Sequence, residues 1–470
     1  QGSDTGGEGS LIRRKQLDEY LYFLSRHPGR DIEGSVTNQL VSQNIEPSIA
    51  GEGAPIAVEL TEAEDGPPGG AYLTYRIAEE KPWSLWFQYG NTGTKSEGYQ
   101  RYRAGFVHSQ LTGNDDILSL QYVTSNGSDT NAVIGSYEAP LGLDGRLRWG
   151  INGSWSQYFA DQFGVAGFRN AFTGHSWAGG GDLRLNVYQD GPFFADIIGG
   201  ARLQHLSASN DLLGFEIQEQ ASFIIPYGMI QFNQSGQWSN IRGSIGIEGN
   251  VTSHDNQQLT RLGFVTNRFN PANQWARMNL SASMSVYLEP LIDPAAWTDP
   301  STPGSSTLAH ELLVNFSGQY AFGSRLLPQF QSVSGGPGTN RGYPVSVAAG
   351  DNAFNMTGEY RFHLPRAFAL EAEPGRLFGE PFRVSPQHVY GRPDWDLVLL
   401  SFVDASWLTQ NGNIPGEFNE TLLSAGVGFE LAIKRNLQIR LDWGWALKSM
   451  KNGLYDAGHN RLYVQASLSF

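Results

Sequence analysis

The chemistry of this chain rests on charge, with few nucleophiles or metal ligands in view. Cysteine is absent and the nine histidines are scattered without metal-like spacing. That removes disulfides, thiolate sites and His-rich metal centres together. Neither Gly-x-Ser-x-Gly nor His-Glu-x-x-His occurs, so the signatures of a serine hydrolase and a zinc protease are both missing. GGPGTNRGY (335–343) is glycine-rich but lacks the Gly-Lys-Ser/Thr ending that grips phosphates. GNDD at 113–116 offers carboxylates to a calcium ion, although a hairpin tip explains it better. What remains is one guanidinium, Arg341, set in SGGPGTNRGYPVSVAAGDN (334–352) between Asn340 and Gly342–Tyr343. A guanidinium presents a rigid fork of donors suited to a carboxylate. Alone in a loop it is merely solvated. The residues therefore point to no enzyme and no cofactor, and the question is what Arg341 meets.

The elements that would position it are strands. In NRLYVQASLSF (460–470), Leu462, Val464, Ala466, Leu468 and Phe470 alternate with polar residues. Leu437, Ile439, Leu441, Trp443, Trp445 and Leu447 alternate with Gln438, Arg440, Asp442, Gly444, Ala446 and Lys448, and 423–434 and 277–286 repeat the pattern. Strict alternation means an extended strand with one apolar and one polar face. A soluble sandwich uses short strands; a membrane barrel needs about 9–11 residues per strand and a polar lumen. These segments are long, their polar faces mix charges with Gly and Ser, and Trp83, Tyr89, Trp149, Trp155, Trp443 and Trp445 recur near strand ends as interfacial girdles do. No apolar run of about 18 residues provides a helical span. The fold class is all-β, a transmembrane antiparallel barrel.

Counting places strands at 83–90, 98–110, 116–125, 131–139, 145–158, 174–188, 193–207, 219–234, 238–251, 276–288, 307–322, 351–364, 395–407, 420–433, 437–449 and 461–470. Sixteen is an even number, as closed bacterial barrels have. For a chain entering from the periplasm, connections after even strands are short, as GLD, QDGP, NQSG and KRN are. Long outer loops follow odd strands at 159–173, 252–275 and 323–350. Two even connections, 289–306 and 365–394, are long and proline-rich and are expected to be unstructured elaborations of the rim. The net charge of −14 argues against a partner whose phosphates must be neutralised, so no nucleic acid is expected.

Residues 1–82 differ in character. Leu17, Tyr20, Leu21 and Leu24 keep amphipathic-helix spacing, stopped by His-Pro-Gly at 27–29. IAVEL (56–60) and AYLTYRI (71–77) read as strands about a Gly-Pro turn. The expectation is a small α+β module over 1–82 preceding a barrel over 83–470. No signal segment opens the sequence, so an exported chain is expected here in its mature form.

The run from GGAYLTYR to LQYVTS (69–125) resembles the junction between the last POTRA domain and the first barrel strands of two-partner secretion transporters of the TpsB type. The matching pieces are EEKPW (79–83), GNTG (90–93) and LTGNDDILSL (111–120). These transporters share a superfamily with the barrel-assembly proteins. NRGY (340–343) resembles the family's Val-Arg-Gly-Tyr motif of the sixth extracellular loop, with Asn340 in place of Val. The resemblance implies that this loop folds into the lumen and that Arg341, with Gly342 and Tyr343, meets a Phe-x-Asp-x-Gly motif on the thirteenth strand. Here Phe402 and Asp404 match, while Ala405–Ser406 stand where glycine is expected.

It further implies a translocase of the bacterial outer membrane, a monomeric barrel in lipid with its first domain in the periplasm. An unfolded exoprotein would be captured there and conducted past lumen-facing Arg101, Arg103, Arg146 and Arg148. Without ATP in that compartment, folding outside would drive progress. Family members usually carry a plug helix and two POTRA domains; 82 residues hold one at most, with 31–54 interrupting its spacing. The alternatives are a barrel-assembly insertase working through its first-to-last seam, and a passive porin.

Overall fold

The computed structural model describes residues 14–28, 57–62, 71–76 and, from 81 onward, all but 95–96, 128–129, 164–168, 213–214, 299–307, 389–390, 413, 415 and 435. Sixteen antiparallel strands close into a barrel: β1 (Trp83–Gly90), β2 (Arg101–His108), β3 (Ile117–Ser125), β4 (Thr130–Gly142), β5 (Leu147–Phe163), β6 (Arg169–Asp190), β7 (Phe193–Leu212), β8 (Phe215–Ser235), β9 (Ser239–Asn250), β10 (Trp275–Tyr287), β11 (His310–Tyr320), β12 (Asn352–His363), β13 (Trp395–Thr409), β14 (Glu420–Ile433), β15 (Leu437–Ala446) and β16 (Asn460–Ser469). Each strand pairs with its sequence neighbours, and β16 returns to β1.

The alternation sorts as expected, with the apolar side outward. Ile151, Trp155, Ile197, Ile224, Ile245, Met356, Val403, Val427 and Trp443 are exposed, while Asp404, Ser424, Asp442 and Glu359 are buried. A soluble protein shows the reverse; apolar residues outside and polar ones within suit a strand wall standing in lipid.

All sixteen expected strands are present. The expected outer loop at 159–173 is a correction: β5 runs on to Phe163 and β6 begins at Arg169, still paired. Alternation failed to reveal this because Asp161, Gln162 and Asn170 interrupt the apolar/polar pattern of the sequence. Strands β5–β8 have 17, 22, 20 and 21 residues, about twice the 9–11 that a crossing needs.

The loop between β9 and β10 contains helix α2 (Asn256–Val265), which the periodicity did not reveal. The Asp255 carboxylate caps it by accepting from Gln258 N at 2.8 Å. Leu262 joins Leu206, Phe223, Ile225, Trp275, Leu326, Leu327 and Phe330 in a buried cluster on the lumen side of the outer mouth. The two long even connections are likewise ordered where described. The first holds helical turns at Glu289–Ile292 and Pro294–Thr298. The second holds a turn at Leu364–Ala367 and a ribbon pairing Gly375–Leu377 with Glu380–Phe382.

In the N-terminal region, helix α1 (Arg14–Leu24) occupies the expected segment, and Ala57–Glu62 pairs antiparallel with Ala71–Arg76. The rest of the expected 1–82 module, including 31–54, lies outside the described residues. Helix α1 sits at the short-turn end of the barrel. Gln189 Nε2 donates to Glu19 O at 2.6 Å, and Arg26 binds the buried Asp196 carboxylate with one contact at 3.2 Å.

Candidate functional site

The sixth outer loop, between β11 and β12, leaves the rim through a short pairing of Ser332–Ser334 with Ala348–Gly350 and turns into the lumen. Its tip carries Arg341, 3% exposed. The Asp404 carboxylate on β13 accepts from Arg341 N and Nε at 2.9 Å each and from Nη2 at 2.6 Å. The remaining Nη1 donates to Glu359 on β12 and lies 3.6 Å from Asp442 on β15. The Phe402 ring lies beneath the guanidinium, 3.4 Å from its carbon, a cation–π contact added to the bidentate fork. Burying one such charge alone would be strongly unfavourable; three carboxylates converge on it.

The close approach depends on missing side chains. A Cβ at Gly342 would stand 2.6 Å from Ala446 N and from the carbonyl carbon of Trp445. On the facing wall, a Cβ at Gly444 would stand 2.7 Å from the carbonyl carbon of Arg341. Loop and wall therefore touch backbone to backbone. Tyr343, fully buried, anchors the far side: its hydroxyl reaches Lys448 O, and its carbonyl accepts from Tyr463 Oη at 2.6 Å.

The two departures from the family motifs meet each other. Asn340, where valine is usual, donates through Nδ2 to Asp404 O at 3.2 Å and to Ser406 Oγ at 3.4 Å. Ser406 occupies the place expected for glycine. The amide added on the loop thus finds the hydroxyl added on the wall.

Sequence reasoning missed the companions of the pair. Arg440 on β15 binds Glu359 at 2.8 Å and Asp442 at 2.8 Å, and it approaches Glu430 at 3.5 Å. Arg361 continues from Glu430 at 3.0 Å to Glu311 at 3.5 Å. His363 bridges Glu311 and Asp396 at 3.1 and 2.7 Å, and Arg366 closes the series on Asp396 at 2.9 Å. A chain of alternating acidic and basic groups runs down the inner wall of β11–β15 from the loop tip to the short-turn end. Every member but Arg366, which stands in the turn Leu364–Ala367, lies on the polar face of its strand, so the alternation carried the signal; cross-strand register was the missing information.

The four basic residues expected in the lumen divide. Arg101 and Arg103 share the inner face of β2 with Gln88 of β1, to which Arg103 donates at 3.4 Å; Arg101 lies 3.7 Å from Glu97. Arg148 binds Glu138 and donates to Asp115 O at 2.7 Å. Arg146 precedes β5 in an exposed turn at the rim, beside Phe23 of α1 and Asn186. It is a residue of the mouth and not of the wall.

A second charged cluster holds the outer mouth. Arg268, just past α2, binds Asp351 and Glu417, and Arg325 binds Glu417 as well. Asp351, fully buried, also accepts from Leu326 N at 2.8 Å and Asn411 N at 2.7 Å. Burial works against the charge of Glu417, but the Arg325 and Arg268 guanidiniums hold its carboxyl below the ordinary value of 4.5. The cluster ties α2 to the root of the sixth loop and to the β13–β14 loop.

In GNDD, the Asp116 carboxylate accepts from Thr112 N at 3.0 Å and Thr112 Oγ1 at 2.9 Å, the work of a turn. Among the described residues no cluster of His, Asp or Glu is arranged to hold a metal ion.

The family model for haemolysin secretion/activation protein ShlB/FhaC/HecB matches residues 69–221. No curated protein matches the sequence. Among solved structures, CdiB from Escherichia coli is similar with a TM-score of 0.66 and 17% identity, over 89% of this chain and 68% of that one. CdiB from Acinetobacter baumannii follows with 0.59 and 16%, over 88% and 65%. BamA from Haemophilus ducreyi lacking POTRA domains 1–3 gives 0.53 and 12%, over 99% and 80%. At these identities the structures establish a shared fold, and over residues 69–221 the chain matches the model of the haemolysin secretion/activation family.

Proposed function

We propose that this chain exports an unfolded partner exoprotein from the periplasm to the cell surface through its lumen, with the seating of the sixth loop on Asp404 as the element that export requires. The observation that carries this reading is the buried Arg341–Asp404 pair with its carboxylate neighbours. On the periplasmic side, the two strands Ala57–Glu62 and Ala71–Arg76 pair only with each other among the described residues. Among the described residues their outer edges pair with nothing, which suits addition of an extended segment, a mode that reads backbone more than side chains. Deleting the gene is expected to retain one exoprotein in the cell. A general loss of outer-membrane barrels instead would overturn the reading.

The insertase alternative rests on one observation. The β16–β1 seam holds only five paired positions, Gln465↔Gly90 to Ser469↔Trp86, fewer than any other pairing in the barrel. Gln88 and Ser467 face each other there. They lie three positions from Leu85 and Phe470, which exchange both backbone bonds, and at that odd offset theirs is the closer, non-hydrogen-bonded kind of pair. A Gln88→Cys/Ser467→Cys disulfide fits that spacing, in a chain with no other cysteine. Export through the lumen predicts undiminished secretion by the oxidised double variant. Secretion that stops on oxidation and returns on reduction would mean that the seam must part.

A further inference from the structure

The ribbon of the β12–β13 connection has a feature that neither the lumen nor the loop lock employs. Its tip is a two-residue turn, Phe378–Gly379, between the paired Leu377 and Glu380. Both tip residues have positive φ, +53° and +91°, the geometry that hairpins normally fill with Asn-Gly. A bulky aromatic residue is disfavoured in that conformation, and Phe378 is 99% exposed. Leu370, Leu377 and Val384 of the same connection are exposed as well. An unfavourable backbone and an unshielded aromatic ring coincide at one residue, and nothing within the described chain offsets either.

The base of the ribbon shows which surface it borders. Glu371 N donates to Pro386 O at 3.0 Å and Gln387 Nε2 to Ala372 O at 3.0 Å, so the two arms are held together. Arg383 binds Asp394 through three contacts of 2.6 to 2.9 Å. Trp395 then ties the ribbon to the barrel: its Nε1 donates to Val384 O at 3.0 Å, and Phe368 packs against its ring at 6.4 Å. Asp396 and Asp404 lie on the lumen face of β13. Trp395 therefore shares the outward face with Leu399, Val403 and Trp407, all three exposed. A tryptophan at the end of a lipid-facing strand sits at the headgroup level. The ribbon is fastened at the border of the bilayer, on its outside.

We propose that the ribbon is an interfacial anchor: its tip dips Phe378 into the periplasmic leaflet of the membrane. The partner is the lipid surface itself. The ribbon's apolar exposure continues the outward band of the barrel, and the insertion of the ring supplies what the turn conformation lacks. This inference stands apart from the export reading, since it concerns where the connection lies and not what passes the lumen.

The absence of cysteine allows a direct test. A nitroxide is attached to Phe378→Cys, and separately to Asn114→Cys at the exposed tip of the β2–β3 turn. Each labelled chain is placed in phosphatidylethanolamine–phosphatidylglycerol vesicles, with barrel folding checked by heat-modifiable migration. Accessibility to oxygen relative to a water-soluble nickel chelate is expected to be several-fold higher at 378 than at 114. Equal ratios at the two sites would overturn the proposal. So would a label at 378 shielded from oxygen and the nickel chelate alike, which would mean that another part of the chain covers it. Shielding only on addition of exoprotein would overturn it too, in favour of a substrate contact. Leu377→Cys serves as a second site should the first variant fail to fold.

Discussion

An Arg341→Ala chain is expected to assemble as a closed barrel and to export nothing. Removing the guanidinium leaves Asp404, Glu359 and Asp442 together on the inner wall, all 4% exposed or less. Breaking a buried pair from one side costs about 3–5 kcal/mol, which is roughly two to three and a half decades in the fraction of seated loops. The barrel should survive, because its strand pairing does not run through the loop. Secretion of the exoprotein into the medium measures the loss, and heat-modifiable migration reports the fold. Arg341→Lys should fail as well. An ammonium cannot span both oxygens of Asp404 while donating to Glu359, and it stacks less well on Phe402. Secretion at the native level by the lysine variant would dismiss the fork as the reason for arginine.

The second large effect is expected at the outer mouth. Asp351→Ala removes the acceptor for Arg268, for two backbone amides and for Gln331 Nε2. Arg268, 4% exposed, then keeps only Glu417 as a carboxylate partner, and the root of the sixth loop loses its tie to α2. The buried cluster of Leu262, Phe223 and Phe330 would hold α2 less firmly in the mouth. The expected result is a higher resting conductance in planar bilayers and greater sensitivity of cells to bulky antibiotics. Conductance equal to that of the unaltered chain would show that the mouth is closed by other means. The two substitutions separate the roles, since Arg341 acts deep in the lumen and Asp351 at its outer end.

The barrel was legible because lipid outside and water inside impose opposite chemistry on alternate residues, and β15 and β16 keep that rule throughout. Legibility failed where the rule lapses. In the β5–β6 hairpin the polar Asp161, Gln162 and Asn170 break the alternation of the sequence, and the continuing strands went unread. At the outer end of β8, Phe223, Ile224 and Ile225 are apolar on both faces, a sign that something covers the inner one; α2 does so. The ten residues of α2 carry Leu259, Leu262 and Val265 at helical spacing behind the Asp255 cap, a signal overshadowed by the strands on either side. For the site, the motif residues Arg341, Gly342, Tyr343, Phe402 and Asp404 lie together where the loop tip meets the wall. Glu359, Arg440 and Asp442 required register, which no single strand contains.

The unequal strands give the barrel a skewed rim. At about 3.3 Å per residue, the 22 residues of β6 trace roughly 70 Å. A tilt of about 40° leaves roughly 55 Å of height against a hydrocarbon core of about 30 Å. The eight residues each of β1 and β2 end near the bilayer surface. Because the turns at the other end are tight, the surplus of β5–β8 rises outside the cell as a curved parapet on one flank. A polypeptide emerging beside such a wall has fewer conformations open to it on that side, so its thermal wandering is biased toward the low flank. The exit thus acquires a compass direction, and the first folded turns of the cargo should form over β1, β2 and β16.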